Sequence, residues 1–248
     1  MKTAWRGVGL IWSGFLFMGC AASPVASSPI EQRQETEFAA PEFSRESLQK
    51  GGLALLAILS EGAPEGVRQN AAYEIFQGLR ASFPETRVIP RSDAVEKIVS
   101  SDKEAEYRSF VKNYEERRSM DPGQLKQWGD LEGVRYLLIG RVHAMDKRTE
   151  ARMTPEGERS VGGKISVFSS GPNMIPDEIQ KRVSLQGEIW DSLCGKAVWI
   201  GKSVAEATET SGRERVRVED IFILAGRNLS KALAGALDKN SGPVKSCL

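Results

Sequence analysis

Few side chains in this 248-residue sequence have the types and spacing of a catalytic centre. The only histidine is His143, so a catalytic triad or a histidine metal site would have to use this one residue. The carboxylate pairs Glu115 with Glu116 and Glu219 with Asp220 fall on polar helix positions or helix starts, and Asp220 near a helix start is more simply a dipole partner than an acid catalyst. The sequence contains neither a GxxxxGK phosphate loop nor a GxSxG motif. We therefore expect no enzyme activity, no metal and no cofactor.

The amino-terminal residues have the layout of a secretory signal. Lys2 and Arg6 precede an apolar stretch from Val8 to Met18, which is too short to cross a bilayer as a permanent helix. The stretch ends in the letters FMGC, which resemble the lipobox of bacterial lipoproteins, where the cysteine is acylated and becomes the new amino terminus. We predict a signal peptide over residues 1–19 and lipidation of Cys20. The alternative is an ordinary signal peptide with an incidental cysteine.

Residues 20–50 have the composition of a flexible tether. Ala, Ser, Pro, Glu and Gln dominate, and large apolar residues are few before Leu48, so the segment buries too little surface to offset its ordering entropy. Ala21 follows the cysteine where an aspartate could stand, which by resemblance to enterobacterial sorting favours the outer membrane. We expect a protein that is anchored by its lipid, with the outer membrane as the favoured site, and that faces the periplasm.

Charge and cysteine content fit an exported protein. Without Lys2 and Arg6, the 34 basic residues fall to 32, against 33 acidic ones, and this balance does not suggest a nucleic acid partner. Lipidation of Cys20 leaves Cys194 and Cys247 in an oxidising compartment, where a disulfide between them is the simple interpretation. Two free thiols, one buried and one in the tail, are the alternative.

The body of the chain, residues 51–240, is predicted to form one α/β domain. Gly51–Leu59 is a continuous apolar run of strand length, with a helix as the competing interpretation. Apolar residues at steps of four predict a helix over Glu65–Phe83, and Arg87–Pro90 a short strand, which gives a strand-helix-strand start. Three shorter helices are predicted next: one from the N-cap Ser92 to Val99, one over Lys103–Arg118, and one from Pro122 to Leu131 with Asp121 as its cap. A strand over Tyr136–Met145 and an antiparallel hairpin of Val183–Trp190 and Ala197–Ala207 follow. A terminal helix over Glu219–Leu237 closes the domain. The expected fold is a two-layer or three-layer sandwich with a mixed sheet.

A long polar segment interrupts this domain. Asp146–Lys181 is polar and contains four glycines, at 157, 162, 163 and 171, and prolines at 172 and 176. We predict a long hairpin extension or a mobile flap, because structureless loops of that length are uncommon in compact domains. Residues 241–248 are expected to form a tail.

Three further features have a structural and a functional interpretation. Trp190 and Trp199 lie within predicted strands and are expected to pack in the core. Arginines at the alternating positions 213, 215 and 217 suit either solvated surface or a strand edge that meets acidic partners. The loop Ser60–Gly66 follows a buried strand, where ligands of open sheets gather, but its two glutamates oppose phosphate and favour a mere connection.

The order of elements resembles a known family. An apolar first strand, a crossover helix, RVIPRSDAVEKI, a run of short helices, LEGVRYLLIGRVHAMD and VSLQGEIWDSLCGKAVWIGKSVAEA before a terminal helix are similar to the periplasmic lipoproteins related to the TolB amino-terminal domain, among them the penicillin-binding-protein activator LpoB and the curli-secretion lipoprotein CsgG. The resemblance covers most of Gly51–Leu237. It implies a small α/β sandwich that binds other envelope proteins.

These observations lead to a non-enzymatic, lipid-anchored envelope protein that binds another envelope protein as an assembly or activation factor. The alternative is a subunit of an outer-membrane secretion complex, although Arg159–Pro176 offers only Ile165, Val167 and Phe168 as apolar residues for pore strands. An enzyme of unknown type is the third possibility. A homo-oligomer remains open.

Overall fold

The computed structural model describes residues 30–60, 64–149, 178–210 and 216–240. In this part of the chain, six helices pack on one mixed six-stranded sheet with the strand order β1-β6-β5-β4-β2-β3, so the predicted α/β fold class is confirmed. In chain order the elements are β1 (Ile30–Ala39), α1 (Arg45–Gly51), β2 (Leu53–Leu59), α2 (Glu65–Ser82), β3 (Val88–Ile89), α3 (Arg91–Ser100), α4 (Glu104–Arg117), α5 (Pro122–Glu132), β4 (Tyr136–Thr149), β5 (Glu178–Asp191), β6 (Lys196–Thr210) and α6 (Val218–Lys239).

Strand β2 is the buried centre of the parallel part of the sheet. All seven of its residues are buried, and it pairs in parallel with both β3 and β4. The helical interpretation of this run is therefore wrong. The strand begins at Leu53, because Gly51 closes α1 and Gly52, with a φ of 67°, turns the chain from helix into strand.

Helices cover both faces of β2 and β4, which makes this part a three-layer sandwich. On one face, α2 and α6 pack against the sheet around Trp199, Phe222 and Leu185. On the other face, α3, α4 and α5 enclose a second core around Trp128 and Phe110. Each core excludes water from one side of the sheet, and burial of such large apolar side chains contributes about 2 kcal/mol apiece.

The two helices on the first face cross closely because both carry a glycine at the contact. A Cβ atom on Gly226 of α6 would lie 2.6 Å from the carbonyl oxygen of Glu74, and one on Gly78 of α2 would lie 2.8 Å from the carbonyl oxygen of Gly226. The terminal helix is confirmed, with one change in its buried side. Phe222 and Ala225 face the core, whereas the predicted Ile223 and Leu224 are half-buried.

Two predicted helix starts have different outcomes. Asp121 caps α5 by accepting a hydrogen bond from the Gly123 N–H at 2.9 Å, and Pro122 is the first helical residue, as predicted. The prediction of Ser92 as the N-cap of α3 is wrong, because Pro90 occupies that position and the Ser92 hydroxyl donates to the Asp93 carboxylate at 2.9 Å.

The prediction of a flexible tether over residues 20–50 is wrong for its second half. β1 pairs antiparallel with β6, from Ile30 opposite Ala207 to Ala39 opposite Trp199. The short helix α1 follows and buries Leu48 in the core. Backbone hydrogen bonds of an edge strand need no apolar side chains, so composition alone does not reveal them. Residues 20–29 lie outside the described residues, as do the signal segment 1–19 and the tail 241–248.

The predicted antiparallel hairpin is confirmed as β5 and β6, and the strands on either side of the predicted extension, β4 and β5, are longer than predicted. β4 and β5 pair in unbroken register from Tyr136 opposite Asp191 to Thr149 opposite Glu178, so both ends of the predicted Asp146–Lys181 extension are regular strand. Residues 150–177 lie outside the described residues. None of the helices in the described ranges combines the length and the apolar character needed to cross a bilayer.

Candidate interaction surface

One face of the sheet at β1, β6, β5 and the far half of β4 is open in the described part of the chain. Side chains alternate along these strands, and one set points to α6: the Ser203 hydroxyl donates to the carbonyl of Ala225 at 2.7 Å, and the Thr36 hydroxyl to that of Ala232 at 3.1 Å. The other set forms what we call the uncovered sheet face. It consists of Glu31, Arg33 and Glu35 of β1, Lys202, Val204 and Glu206 of β6, Arg182, Ser184 and Gln186 of β5, and Arg141 and His143 of β4.

Strand register aligns these side chains in rows across the sheet. The rows are Glu31, Glu206 and Arg182; then Arg33, Val204, Ser184 and His143; then Glu35, Lys202, Gln186 and Arg141. Directly opposed side chains lie about 5 Å apart at their Cβ atoms, so each row is a continuous strip of polar groups. Like charges oppose each other at Glu31 and Glu206, which costs stability unless a cation lies nearby.

A depression of about 360 Å³ lies in this face, and its charges are balanced. Its lining residues are Glu31, Arg33, Gln34, Glu35, Arg182, Lys202, Val204 and Glu206. The ion pairs within it are loose: Arg182 Nε lies 3.9 Å from Glu206 Oε2, and Arg33 Nη2 lies 3.7 Å from Glu31 Oε2. The side chains of Arg33 and Glu31 are 83% and 73% exposed, so water competes for both. Charges held this weakly can re-pair with a partner at little cost.

Apolar side chains border the depression at one end. Phe38 is 45% exposed and lies opposite the half-buried Ile200. An exposed aromatic ring beside charged rows has the composition of a protein interface, in which a few aromatic anchors are surrounded by polar groups.

Further along β5, the side of the sheet that carries the uncovered sheet face is covered by Tyr114 of α4. The Tyr114 hydroxyl donates to the Glu188 carboxylate, and its ring meets the Trp190 ring edge-on at a centroid distance of 6.4 Å. Burial, and then the Glu188 carboxylate, raise the pKa of Tyr114, which keeps its hydroxyl protonated as a donor. This contact marks the boundary of the uncovered sheet face and has a packing role. The core packing predicted for Trp190 and Trp199 is confirmed, with Trp199 fully buried and Trp190 half-buried.

The turn between β5 and β6 is held by a buried carboxylate. Asp191 accepts from Arg135 Nη2 at 2.7 Å and from the Leu193 N–H at 3.0 Å, and its side chain is 3% exposed. Cys194 in this turn is disulfide-bonded. Its pairing with Cys247 stays a prediction, because Cys20 and Cys247 both lie outside the described residues.

The remaining candidates from the sequence are separate from one another. His143 is exposed on the uncovered sheet face, and the described residues contain no group of three or more potential metal ligands. Arg217 is the N-cap of α6 and pairs with Asp220 at 3.3 Å, which gives it a local role. Positions 213 and 215 lie outside the described residues.

A second cavity, of about 250 Å³, lies at the carboxyl end of β2, and its lining contains four basic side chains and the acidic Glu115. Arg68, Arg91, Arg108 and Lys112 line it, together with Tyr107, whose hydroxyl donates to the Leu56 carbonyl at 2.8 Å. Glu65 at the start of α2 pairs with Arg68 and, at 3.4 Å, with Arg91. Glu65 thus offsets the positive charge of these two arginines, which agrees with the expectation that the glutamates of Ser60–Gly66 oppose phosphate. Residues 61–63 of that loop lie outside the described residues.

The fold and the surface together define an α/β protein with one mixed sheet and a polar sheet face. No family model and no curated protein matches the chain. Among solved structures it is similar to the PelC dodecamer from Paraburkholderia phytofirmans, with 17% identity over 84% of this chain and 97% of that chain and a TM-score of 0.41. It is also similar to lipoprotein GNA1162 from Neisseria meningitidis, with 15% identity over 70% and 92% and a TM-score of 0.38. A neuraminyllactose-binding hemagglutinin homolog from Helicobacter pylori matches with 12% identity over 83% and 94% and a TM-score of 0.41. At this level, the likenesses assign no function.

Proposed function

We propose that the chain is a non-enzymatic, lipid-anchored envelope protein whose uncovered sheet face binds another envelope protein as an assembly or activation factor. The observation that carries the proposal is this face itself, a four-stranded polar surface over which the described residues place no helix layer. The signal segment and Cys20 support export and lipid anchoring.

The chemistry of the face favours a protein partner over a small ligand. Its depression is lined by three acidic and three basic side chains, which fits a partner surface with an alternating charge pattern. Such electrostatic complementarity gives specificity and speeds association. The exposed Phe38 adds an apolar anchor at one end.

A non-enzymatic role is supported by how the buried polar groups are used. Tyr114 and Glu188 pair with each other under α4, and Arg135 and Asp191 hold the β5–β6 turn. These groups stabilise the fold and do not face the depression. The proposed role therefore requires surface complementarity alone.

Charge reversal at one exposed lysine tests this function. Lys202→Glu changes the centre of the uncovered sheet face, whereas Lys231→Glu makes the same change at an exposed position of α6, on the opposite side of the sheet. Both changes should alter the free energy of unfolding by less than about 0.5 kcal/mol. Crosslinking in native envelopes should capture the same discrete partner with the wild type and with Lys231→Glu, and lose it with Lys202→Glu. Equal capture by all three proteins would refute the proposal, and a crosslinked dimer would identify a second copy as the partner.

The alternative role in a secretion complex gains no support from the described hairpin arms. The sequence of β4 has three consecutive charged residues, Asp146, Lys147 and Arg148, whereas pore strands need apolar residues at every second position. We therefore propose the binding role alone.

A further inference from the structure

Several chain segments meet at one end of the sheet. Ile30, the first residue of β1, lies in one row with Ala207 of β6, Lys181 of β5 and Asp146 of β4. The β4–β5 hairpin continues beyond this row to Thr149 and Glu178. The turn Asp191–Lys196 lies at the other end, ten residues along β5 from Lys181, or about 34 Å at the rise of a strand.

At this end of the sheet, a buried ion pair is linked to the residues that directly precede α6. Lys181 Nζ lies 3.2 Å from Glu209 Oε1 and donates to the Val216 carbonyl at 2.7 Å. The side chains of Lys181 and Glu209 are 13% and 4% exposed. The start of α6 is therefore held beside the first residue of β1.

The chain from Cys20 to Ile30 is short. Only residues 21–29 lie between them, so the segment spans at most about 35 Å when fully extended. β1 itself, with ten residues, is about 30 Å long. If Cys20 carries the lipid, turning the domain upside down would require the segment to be almost fully stretched, which loses most of its conformational entropy.

We infer that the end of the sheet marked by Ile30, the β4–β5 hairpin arms and the start of α6 faces the lipid bilayer that holds the anchor. The strands stand upright on the membrane, and the Asp191–Lys196 turn points away from it. The inference rests on the proposed lipid attachment at Cys20. It also deepens the proposed function, because an upright uncovered sheet face meets partners that stand beside the protein on the same membrane.

Energy transfer to labelled lipids tests this orientation on the full lipidated chain in liposomes. A donor dye on a clickable residue at Thr208, one position from the Ile30 row, is compared with the same dye at Leu193 in the opposite turn; both positions are exposed. Acceptor lipids should quench the Thr208 donor several-fold more than the Leu193 donor. Insertion of about 30 Gly/Ser residues after Ala21 should remove most of the difference, because the coil then exceeds the length of β1.

Each outcome decides the inference. Equal quenching at both positions, or stronger quenching at Leu193, overturns the orientation while the lipid attachment stands. Flotation of the liposomes reports the attachment separately, and a wild type that floats no better than Cys20→Ser overturns the attachment and the orientation together. The crosslinking comparison of the wild type with Lys202→Glu tests the binding role independently of both measurements.

Discussion

Because α2 and α6 cross closely, alanine at two glycines of α6 should change the free energy of unfolding in opposite directions. Gly226→Ala places a Cβ atom 2.6 Å from the carbonyl oxygen and 2.7 Å from the carbonyl carbon of Glu74, and these backbone atoms cannot rotate away. The helices must separate, and such overpacking costs about 1–3 kcal/mol, against a gain of up to about 1 kcal/mol in helix propensity. We expect the free energy of unfolding to fall by about 1–2 kcal/mol.

Gly235→Ala in the same helix is the matched control. An added Cβ there meets no atom within 4 Å, so only the propensity gain remains, and the free energy of unfolding should rise by about 0.5–1 kcal/mol. Urea unfolding followed by circular dichroism measures both variants, with a shared m-value as the check on two-state behaviour. A Gly226→Ala protein as stable as the wild type would show that α2 and α6 do not approach each other as described.

Three further predictions concern the cysteines and one buried carboxylate. A fatty-acid analogue should label wild-type cells, and equal labelling of a Cys20→Ser variant would exclude lipidation at this residue. If Cys194 and Cys247 pair, neither should react as a free thiol in unreduced, denatured protein, and two reactive thiols would exclude the pairing. The bond closes a loop of about 50 residues, so its loss should lower the free energy of unfolding by about 4 kcal/mol. Burial raises the pKa of Glu132, which is 1% exposed and whose Oε1 has no hydrogen-bond partner among the described residues. The folded state therefore favours the protonated acid, and the stability of the wild type relative to Glu132→Gln should fall as the pH rises above the ordinary carboxyl range. In urea unfolding at pH 8, the variant should be the more stable protein by about 1 kcal/mol. A stability difference that stays the same from pH 4 to pH 8 would contradict this prediction.

The buried elements could be predicted because their side chains report their surroundings. The seven apolar residues of β2 require cover on both faces, and Tyr107, Phe110 and Tyr114 recur at helical spacing along α4. Asp121 and Pro122 define the start of α5 through a hydrogen bond that depends only on local sequence. These predictions follow from interactions that are local or non-specific.

Strand β1 could not be predicted, because its contacts are specific and distant. Eight of its ten residues are exposed, and only the terminal residues Ile30 and Ala39 pack, half-buried, against the core. Gln32 accepts from Asn228 at 3.0 Å and the Thr36 hydroxyl donates to the Ala232 carbonyl at 3.1 Å, each across 196 residues of sequence, and the backbone of the strand pairs with β6. The composition of such a strand equals that of a disordered segment. The uncovered sheet face depends on this strand, so the sequence alone could not predict the candidate surface either.

Site-specific photocrosslinking in native cells tests the central claim most directly. A photoreactive residue at Glu35 or Gln186 lies on the uncovered sheet face, and one at Lys231 lies on the opposite side of the sheet. The account predicts a discrete adduct with one envelope protein from Glu35 and Gln186 and none from Lys231. An adduct from Lys231 alone would contradict it.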